Sequence, residues 1–284
     1  NRTASKVVEL INEYDLSVYN EKLQQGLMRH LVIRVGVCTN QAQLILVTNG
    51  QELPYQKEIV KELMAEIPEL ISVYQNINTA DTNVILGEKI KKLAGKDYII
   101  DYIGNIKYQI SPLSFFQINT LQTKVLYDQV LEYAELTGTE KVLDAYCGLG
   151  SISLYVAGKS QEVYGIEVVD EAIALARQNA ELNEIENCNF KVGKVRDVLP
   201  QLKEEFQPEI VIVDPPRKGC HENVLADFVE LQPEKIIYVS CKPTSLARDL
   251  KFLTNNGYRV EAVQPVDMFP QTYHIESVTK LVKK

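Results

Sequence analysis

The stretch KVLDAYCGLGS, residues 141–151, decides the fold class of this chain of 284 residues. Its apolar first half is typical of a buried β-strand, which we place at 141–146. Glycines at 148 and 150 follow the strand, and they let the backbone turn tightly and approach a ligand without a Cβ in the way. A G-x-G after a strand occurs in many nucleotide-binding folds, so by itself it indicates only where a ligand site would lie.

Outward from this stretch, strand-like runs alternate with helical patterns, which predicts βαβ units and a parallel sheet covered on both faces. The expected strands lie at 162–167, 189–193, 209–214 and 235–241, and the expected helices at 120–136, 170–183, 221–231 and 244–256. Two last strands, at 258–266 and 274–282, are separated by MFPQT and resemble an antiparallel hairpin. A doubly wound sheet that ends in this way is typical of the α/β, Rossmann-like class I methyltransferases that use S-adenosylmethionine. Ligands in such sheets bind at the carboxyl ends of the strands.

The residues before 111 predict a smaller α+β domain. Apolar residues at helical spacing cover 4–28, and a helix is expected at 54–66; strand patterns cover 30–38, 42–49, 70–76 and 98–110. This part of the sequence contains no motif that carries chemistry. We therefore divide the chain into a central α+β domain at 1–110 and a catalytic domain at 111–284.

Composition excludes some classes of function. No apolar run approaches the roughly 20 residues that cross a bilayer. A net charge of −8 argues against a surface that coats nucleic acid nonspecifically, but it leaves room for local basic rims such as Arg217-Lys218 with Lys242. The five cysteines form no C-x-x-C pair and no metal-ligand spacing, so we expect neither a metal nor an iron–sulfur cluster. An odd number of cysteines without a disulfide framework also indicates a reducing cytoplasm as the location.

The second predicted strand of the catalytic domain ends in Glu167, seventeen residues after Gly150. A carboxylate at this place can accept hydrogen bonds from both hydroxyls of a ribose, which favours an adenosine-type ligand. NAD is the obvious competitor, but position 153 is Ser where a dinucleotide fingerprint needs a third glycine. S-adenosylmethionine carries a sulfonium and a carboxylate instead of a pyrophosphate, so it fits better.

Two further strand ends carry candidate chemistry. Asp214 opens the run Asp-Pro-Pro-Arg, in which the prolines stiffen the loop and fix the carboxylate near both cofactor and target base. Amino-directed methyltransferases have an aromatic residue that stacks on the target base where this chain has Arg217. The hypothesis of an amino-directed methyltransferase therefore lacks its stacking residue. Cys241 ends the next strand beside Lys242 and the start of a helix, both of which favour the nucleophilic thiolate.

A thiolate at this place suits methylation of carbon 5 of uracil, which is a poor nucleophile on its own. Addition of the thiolate to carbon 6 gives carbon 5 carbanion character, and a base must later remove the carbon-5 proton. His274 and Glu276 both follow MFPQTY, and strand alternation would put them on one face. The residues alone leave open which of the two is the base.

Six ordered motifs resemble the RNA (uracil-5-)-methyltransferase family, and within it the bacterial 23S ribosomal RNA enzymes and their transfer RNA relatives. The motifs are SFFQIN, LDAYCGLGS, YGIE, DPPRKG, VSCKPTSLARD and MFPQTYHIES. The resemblance implies that Cys241 is the nucleophile and Glu276 the base. It also implies that Gln117, Tyr146, Glu167 and Asp214 bind S-adenosylmethionine. RNA is then the expected partner, most closely 23S ribosomal RNA.

Members of the family usually begin with a small RNA-binding β-barrel, which this sequence lacks, and it starts with Asn rather than Met. We therefore expect that the chain binds the methyl donor normally and RNA poorly. The alternatives are transfer RNA as the substrate, cytosine-5 methylation by the same thiolate chemistry, an amino-directed methyltransferase, and a scaffold without activity. The sequence gives no indication of oligomeric state.

Overall fold

The computed structural model describes residues 2–284. The chain divides into two compact units. The first unit ends at Tyr102 and also includes Gln109–Leu113. The second unit consists of Ile103–Tyr108 and Ser114–Lys284.

The first unit is built on a four-stranded sheet in the order β1-β2-β3-β4. Its helices are α1 (Arg2–Glu13) and α2 (Gln56–Glu66), and its strands are β1 (Met28–Val35), β2 (Ala42–Thr48), β3 (Leu70–Ile77) and β4 (Lys89–Gly95). The β1–β2 and β3–β4 pairs are antiparallel, whereas β2 and β3 are parallel across α2. The strand β2 is buried along its whole length, and its apolar residues pack with those of α1 and α2 to form the core of this unit.

The first unit differs from the sequence-based expectation in two places. Helical spacing over 4–28 predicted one or two helices; α1 is present, but it ends at Glu13, and Asp15 has a positive φ of 48°. Val18 and Leu23 are 68% and 66% exposed, so the apolar spacing there serves no buried face that could stabilise a helix. The strand β4 was not predicted, because its lysines obscure the alternation of an edge strand.

A two-stranded sheet consists of β5 (Ile99–Ile103) and β6 (Ile106–Ile110). From Ser114 onward, the second unit alternates strands and helices. Its helices are α3 (Thr120–Ala134), α4 (Ser151–Ala157), α5 (Asp170–Leu182), α6 (Val195–Leu202), α7 (Glu222–Leu231) and α8 (Pro243–Asn255). Its strands are β7 (Lys141–Ala145), β8 (Glu162–Glu167), β9 (Cys188–Val192), β10 (Ile210–Val213), β11 (Lys235–Ser240), β12 (Tyr258–Val266) and β13 (Glu276–Lys283).

These seven strands form one sheet in the order β12-β13-β11-β10-β7-β8-β9. The strands β7 to β11 are parallel, and β13 is inserted antiparallel between β11 and β12. The central strand β10, Ile-Val-Ile-Val, is buried throughout, as expected for a strand covered by helices on both faces. The predicted α/β, Rossmann-like fold with a terminal antiparallel hairpin is confirmed.

Within residues 2–284, no helix is long and apolar enough to span a bilayer.

Candidate active site

One edge of the seven-stranded sheet brings four strand ends together. The strand β7 leads into Tyr146, β8 ends at Glu167, β10 leads into Asp214, and β11 leads into Cys241. Because these strands are parallel, their carboxyl ends lie at the same edge, where α/β sheets bind ligands.

The antiparallel strand β13 adds Glu276 to this edge. Its residue Ser277 pairs with Ser240, the last residue of β11, so Glu276 begins β13 where β11 gives way to Cys241. The reversed direction of β13 therefore delivers a carboxylate beside the carboxyl ends of its neighbours. His274 lies before the strand, so the expectation that alternation puts it on one face with Glu276 is wrong.

A cavity of about 690 Å³ opens at this edge, within the usual range for small-molecule sites. All six residues predicted for the site line it: Gln117, Tyr146, Glu167, Asp214, Cys241 and Glu276. Gln117 comes from the segment before α3 and is 9% exposed. Further lining residues, which the sequence did not single out as cavity residues, include Phe115, Asp144, Ser151, Arg217 and Phe269.

The cavity contains the buried carboxyl groups of Asp144 and Glu276 and the half-buried carboxyl group of Asp214. Burial raises the pKa of Glu276 to about 7, and Arg217 opposes this rise. Burial also raises the pKa of Asp214 to about 7, with a further contribution from the charge of Glu276. Burial raises the pKa of Asp144 to about 7, although Ser153 donates a hydrogen bond to its Oδ2. Groups that titrate near neutrality are suited to accept and release protons during a reaction.

The thiol of Cys241 is partly buried, and this burial raises its pKa, as do the charges of Glu276 and Asp214. The group that lowers it is Arg217, through a hydrogen bond and its charge. The sequence predicted that Lys242 and the start of the following helix would favour the thiolate; Lys242 precedes α8 with an exposed side chain. Arg217 is thus the cation that favours the thiolate.

A clamp formed by Asp249 and Arg248 of α8 holds the loop that carries Arg217. Asp249, which is fully buried, accepts hydrogen bonds from the Cys220 amide (2.8 Å) and the Tyr238 hydroxyl (2.6 Å). Arg248 donates through Nε to Asp249 (2.7 Å) and through Nη2 to the Lys218 carbonyl (2.8 Å). The loop after Asp214 is therefore fixed at both ends, by the sheet and by α8.

A hydrogen bond connects the glycine turn after β7, at Gly148 and Gly150, to the end of β8. Glu167 accepts hydrogen bonds from the amides of Val168 (2.7 Å) and Val169 (3.0 Å) at Oε1, and from the Gly148 amide (3.2 Å) at Oε2. A carboxylate oxygen has about two lone-pair sites, so Oε2 keeps capacity for one more donor. Gly148 has a positive φ of 56°, and a Cβ there would meet no atom within 4 Å. The turn thus leaves open space where a ligand can approach the backbone.

One buried acceptor in the cavity wall has no partner. Asp144 is 0% exposed, and its Oδ1 receives no hydrogen bond although its Oδ2 does. A buried carboxylate oxygen without a donor is costly, so it favours a ligand with a cationic or N–H group. The ammonium and sulfonium groups of S-adenosylmethionine supply such a charge, and the ribose hydroxyls suit Glu167. The residues present therefore fit this donor.

Among the described residues, no group of three or more His, Cys, Asp or Glu side chains could hold a metal ion.

The fold and this site define the class I methyltransferases, and comparison with known proteins gives the family. The family model described as tRNA (Uracil-5-)-methyltransferase matches residues 3–284. The chain belongs to this family, as its sequence motifs predicted.

Individual relatives agree with this assignment. An "uncharacterized RNA methyltransferase" of Oceanobacillus iheyensis is 48% identical over 277 residues, which are 97% of this chain and 60% of that protein. The chain thus spans about 60% of the length of the curated relatives that it matches.

Solved structures are similar as well. The tRNA (uracil-54, C5)-methyltransferase of Pyrococcus abyssi, in complex with S-adenosyl-L-homocysteine, has a TM-score of 0.81 and 34% identity. That match covers 99% of this chain and 67% of the other. The tRNA m1G37 methyltransferase of M. jannaschii, at 17% identity and a TM-score of 0.57, shares the fold over 97% of this chain and 78% of its own.

Proposed function

We propose that this chain transfers a methyl group from S-adenosylmethionine to carbon 5 of a uridine in RNA, through a covalent adduct with Cys241. The observation that supports this proposal most directly is that Cys241 and Glu276 line one cavity with Gln117, Glu167 and Asp214. A nucleophile, a base and a donor site must share one cavity for this reaction.

The methyl donor is proposed to bind along the carboxyl ends of β7, β8 and β10. Glu167 accepts a ribose hydroxyl at Oε2, and Tyr146 provides an aromatic wall. Asp144 and Asp214 place negative charge near the cationic groups of the donor, and Gln117 closes the cavity from the segment before α3. When bound, S-adenosylmethionine would supply an electrophilic methyl group and leave as S-adenosylhomocysteine, whose sulfur keeps the electron pair of the broken S–CH3 bond.

The chemistry of the chain's own residues follows from this arrangement. The Cys241 thiolate adds to carbon 6 of uracil, and the electron pair of the carbon 5–carbon 6 double bond moves onto carbon 5 and the adjacent carbonyl. Arg217 stabilises the thiolate before addition. After carbon 5 has taken the methyl group, Glu276 accepts the carbon-5 proton. The double bond then re-forms and the Cys241 thiolate leaves.

Glu276 is the proposed base rather than His274. Glu276 is 5% exposed and lines the cavity, and its pKa of about 7 lets it be ionised at neutral pH. The ring of His274 lies against Arg217, with 3.1 Å between Arg217 Nη2 and His274 Nδ1. His274 therefore contributes to the placement of Arg217.

For the substrate we propose 23S ribosomal RNA in the cytoplasm, on the resemblance of the motifs to the bacterial ribosomal RNA enzymes. Transfer RNA is the alternative, favoured by the named activity of the similar Pyrococcus abyssi enzyme. Cytosine-5 methylation is less favoured, because those enzymes resemble one another in a second cysteine where this chain has Asp214-Pro215-Pro216-Arg217.

The proposal is tested with transcripts of ribosomal and transfer RNA and with RNA whose uridines are replaced by cytidine. Methyl transfer from labelled donor to carbon 5 of uridine in ribosomal RNA is the expected result. Methyl transfer to transfer RNA alone would show that transfer RNA, and not ribosomal RNA, is the substrate. Methyl transfer to cytidine or to an amino group would contradict the proposed reaction.

A further inference from the structure

A row of three rings runs from the cavity wall to the surface. Phe269 lines the cavity, and its ring lies edge-on to His274 with 6.4 Å between ring centroids. His274 in turn lies against Tyr273 with centroids 4.2 Å apart. Tyr273 is 91% exposed, so the aromatic row of Phe269, His274 and Tyr273 begins in the cavity and ends in solvent.

Hydrogen bonds order the loop that carries this row. Thr272 donates through its amide (3.1 Å) and its hydroxyl (2.8 Å) to the Phe269 carbonyl, and its Oγ1 accepts from the His274 amide (3.1 Å). The Asn119 side chain donates to the Met268 carbonyl (3.2 Å). The exposed ring of Tyr273 therefore stands on an ordered loop, which lowers the entropy lost when a ligand stacks on it.

The row ends in an exposed ring near the cavity that we propose accepts the target base. An enzyme that works on a base inside RNA must take it out of the stack, which leaves the neighbouring bases without a stacking partner. Unstacked RNA bases bind aromatic side chains, and every base has a π-face that can stack in this way.

We propose that Tyr273 stacks on the nucleotide adjacent to the target uridine and so holds the substrate RNA at the mouth of the cavity. This inference rests on the proposed function. Its partner is single-stranded RNA, and continuity of the row with the cavity fixes which part of that RNA it meets. His274 packs against the Tyr273 ring, and Arg217 contacts His274 in turn.

The test compares the full chain with Tyr273→Leu and Tyr273→Phe, using single-stranded RNAs with one uridine and an intact or abasic nucleotide on either side. Stacking on one aromatic residue corresponds to a change of about 5- to 150-fold in affinity. Tyr273→Leu should therefore raise KM for intact RNA by a factor in this range, with kcat and donor affinity unchanged. Tyr273→Phe keeps the ring and should behave as the wild type. Val263→Ser, a change at a 49%-exposed residue of β12, is the surface control.

An abasic nucleotide on one side of the uridine should raise KM for the wild type by the same factor and add nothing in Tyr273→Leu. An unchanged KM in Tyr273→Leu, or an abasic penalty that persists in that variant, would overturn the inference. The dissociation constants of the same RNAs, measured by fluorescence anisotropy, show whether Tyr273 contributes to RNA binding independently of methyl transfer. A wild type that binds RNA through Tyr273 without methylating uridine would refute the proposed function and leave this contact intact.

Discussion

The protonation state of Glu276 should control the rate at which carbon 5 loses its proton. With a pKa of about 7, the Glu276 carboxyl is about one-tenth ionised at about pH 6 and about nine-tenths ionised at about pH 8. Only the ionised form can accept the proton, so the rate of proton loss should rise about tenfold across this interval. The pKa of Cys241 is raised as well, so the thiolate fraction also increases with pH and the roughly tenfold rise from Glu276 is a lower bound for the measured rise in rate.

The assay is the release of tritium from RNA labelled at carbon 5 of uridine, measured in single turnovers over this pH range. Glu276→Gln is nearly the same size but cannot accept the proton, so tritium release should be lost. The covalent adduct at Cys241 should still form and accumulate in that variant. A flat profile between about pH 6 and about pH 8, or tritium release by Glu276→Gln at the wild-type rate, would refute the assignment of the base.

Three further predictions test the surroundings of the site. Arg217→Gln removes the charge that lowers the pKa of both Cys241 and Glu276, so the rise of activity with pH should move to higher pH, whereas Arg217→Lys should move it less. Asp144→Asn should weaken donor binding about tenfold in calorimetry, as expected for loss of one charged hydrogen bond, while an unchanged dissociation constant would exclude contact with the donor. Asp249→Asn should lower the free energy of unfolding by about 2 kcal/mol in urea titration, because the charge that orders Arg248 and the Cys220 amide is lost; equal stability would show that the clamp is unimportant.

Much of the second unit could be predicted because its strands are short, apolar and separated by helical patterns. Expected bounds such as 162–167 and 258–266 agree with β8 and β12 residue for residue. The helices α4 and α6 were not predicted. The first has only seven residues, and Pro200 lies inside the second, so neither presents a long period of helical spacing.

The site was predicted in part from strand ends and in part from the family resemblance. Glu167, Asp214 and Cys241 lie at or directly after strand ends, so parallel pairing alone brings them together. Gln117 and Tyr146 were indicated only by the resemblance, although Tyr146 directly follows β7.

The remaining site residues depend on contacts that spacing does not reveal. The preference for Arg217 over Lys242 as the partner of Cys241 depends on the path of a loop, which strand and helix periods do not describe. The choice between His274 and Glu276 depends on where β13 begins. The sequence did contain a signal for Asp144, because this carboxylate lies between the apolar residues Leu143 and Ala145 in the buried part of β7 and therefore needs a partner.

The most direct test of the account uses RNA in which 5-fluorouridine replaces uridine, because fluorine cannot leave as a proton and the adduct is trapped. After incubation with S-adenosylmethionine, mass spectrometry of protease fragments should find the modified nucleotide bound to Cys241, and Cys241→Ala should form no adduct while it still binds the donor. An adduct on another cysteine, or methylation of carbon 5 by Cys241→Ala at the wild-type rate, would contradict the account.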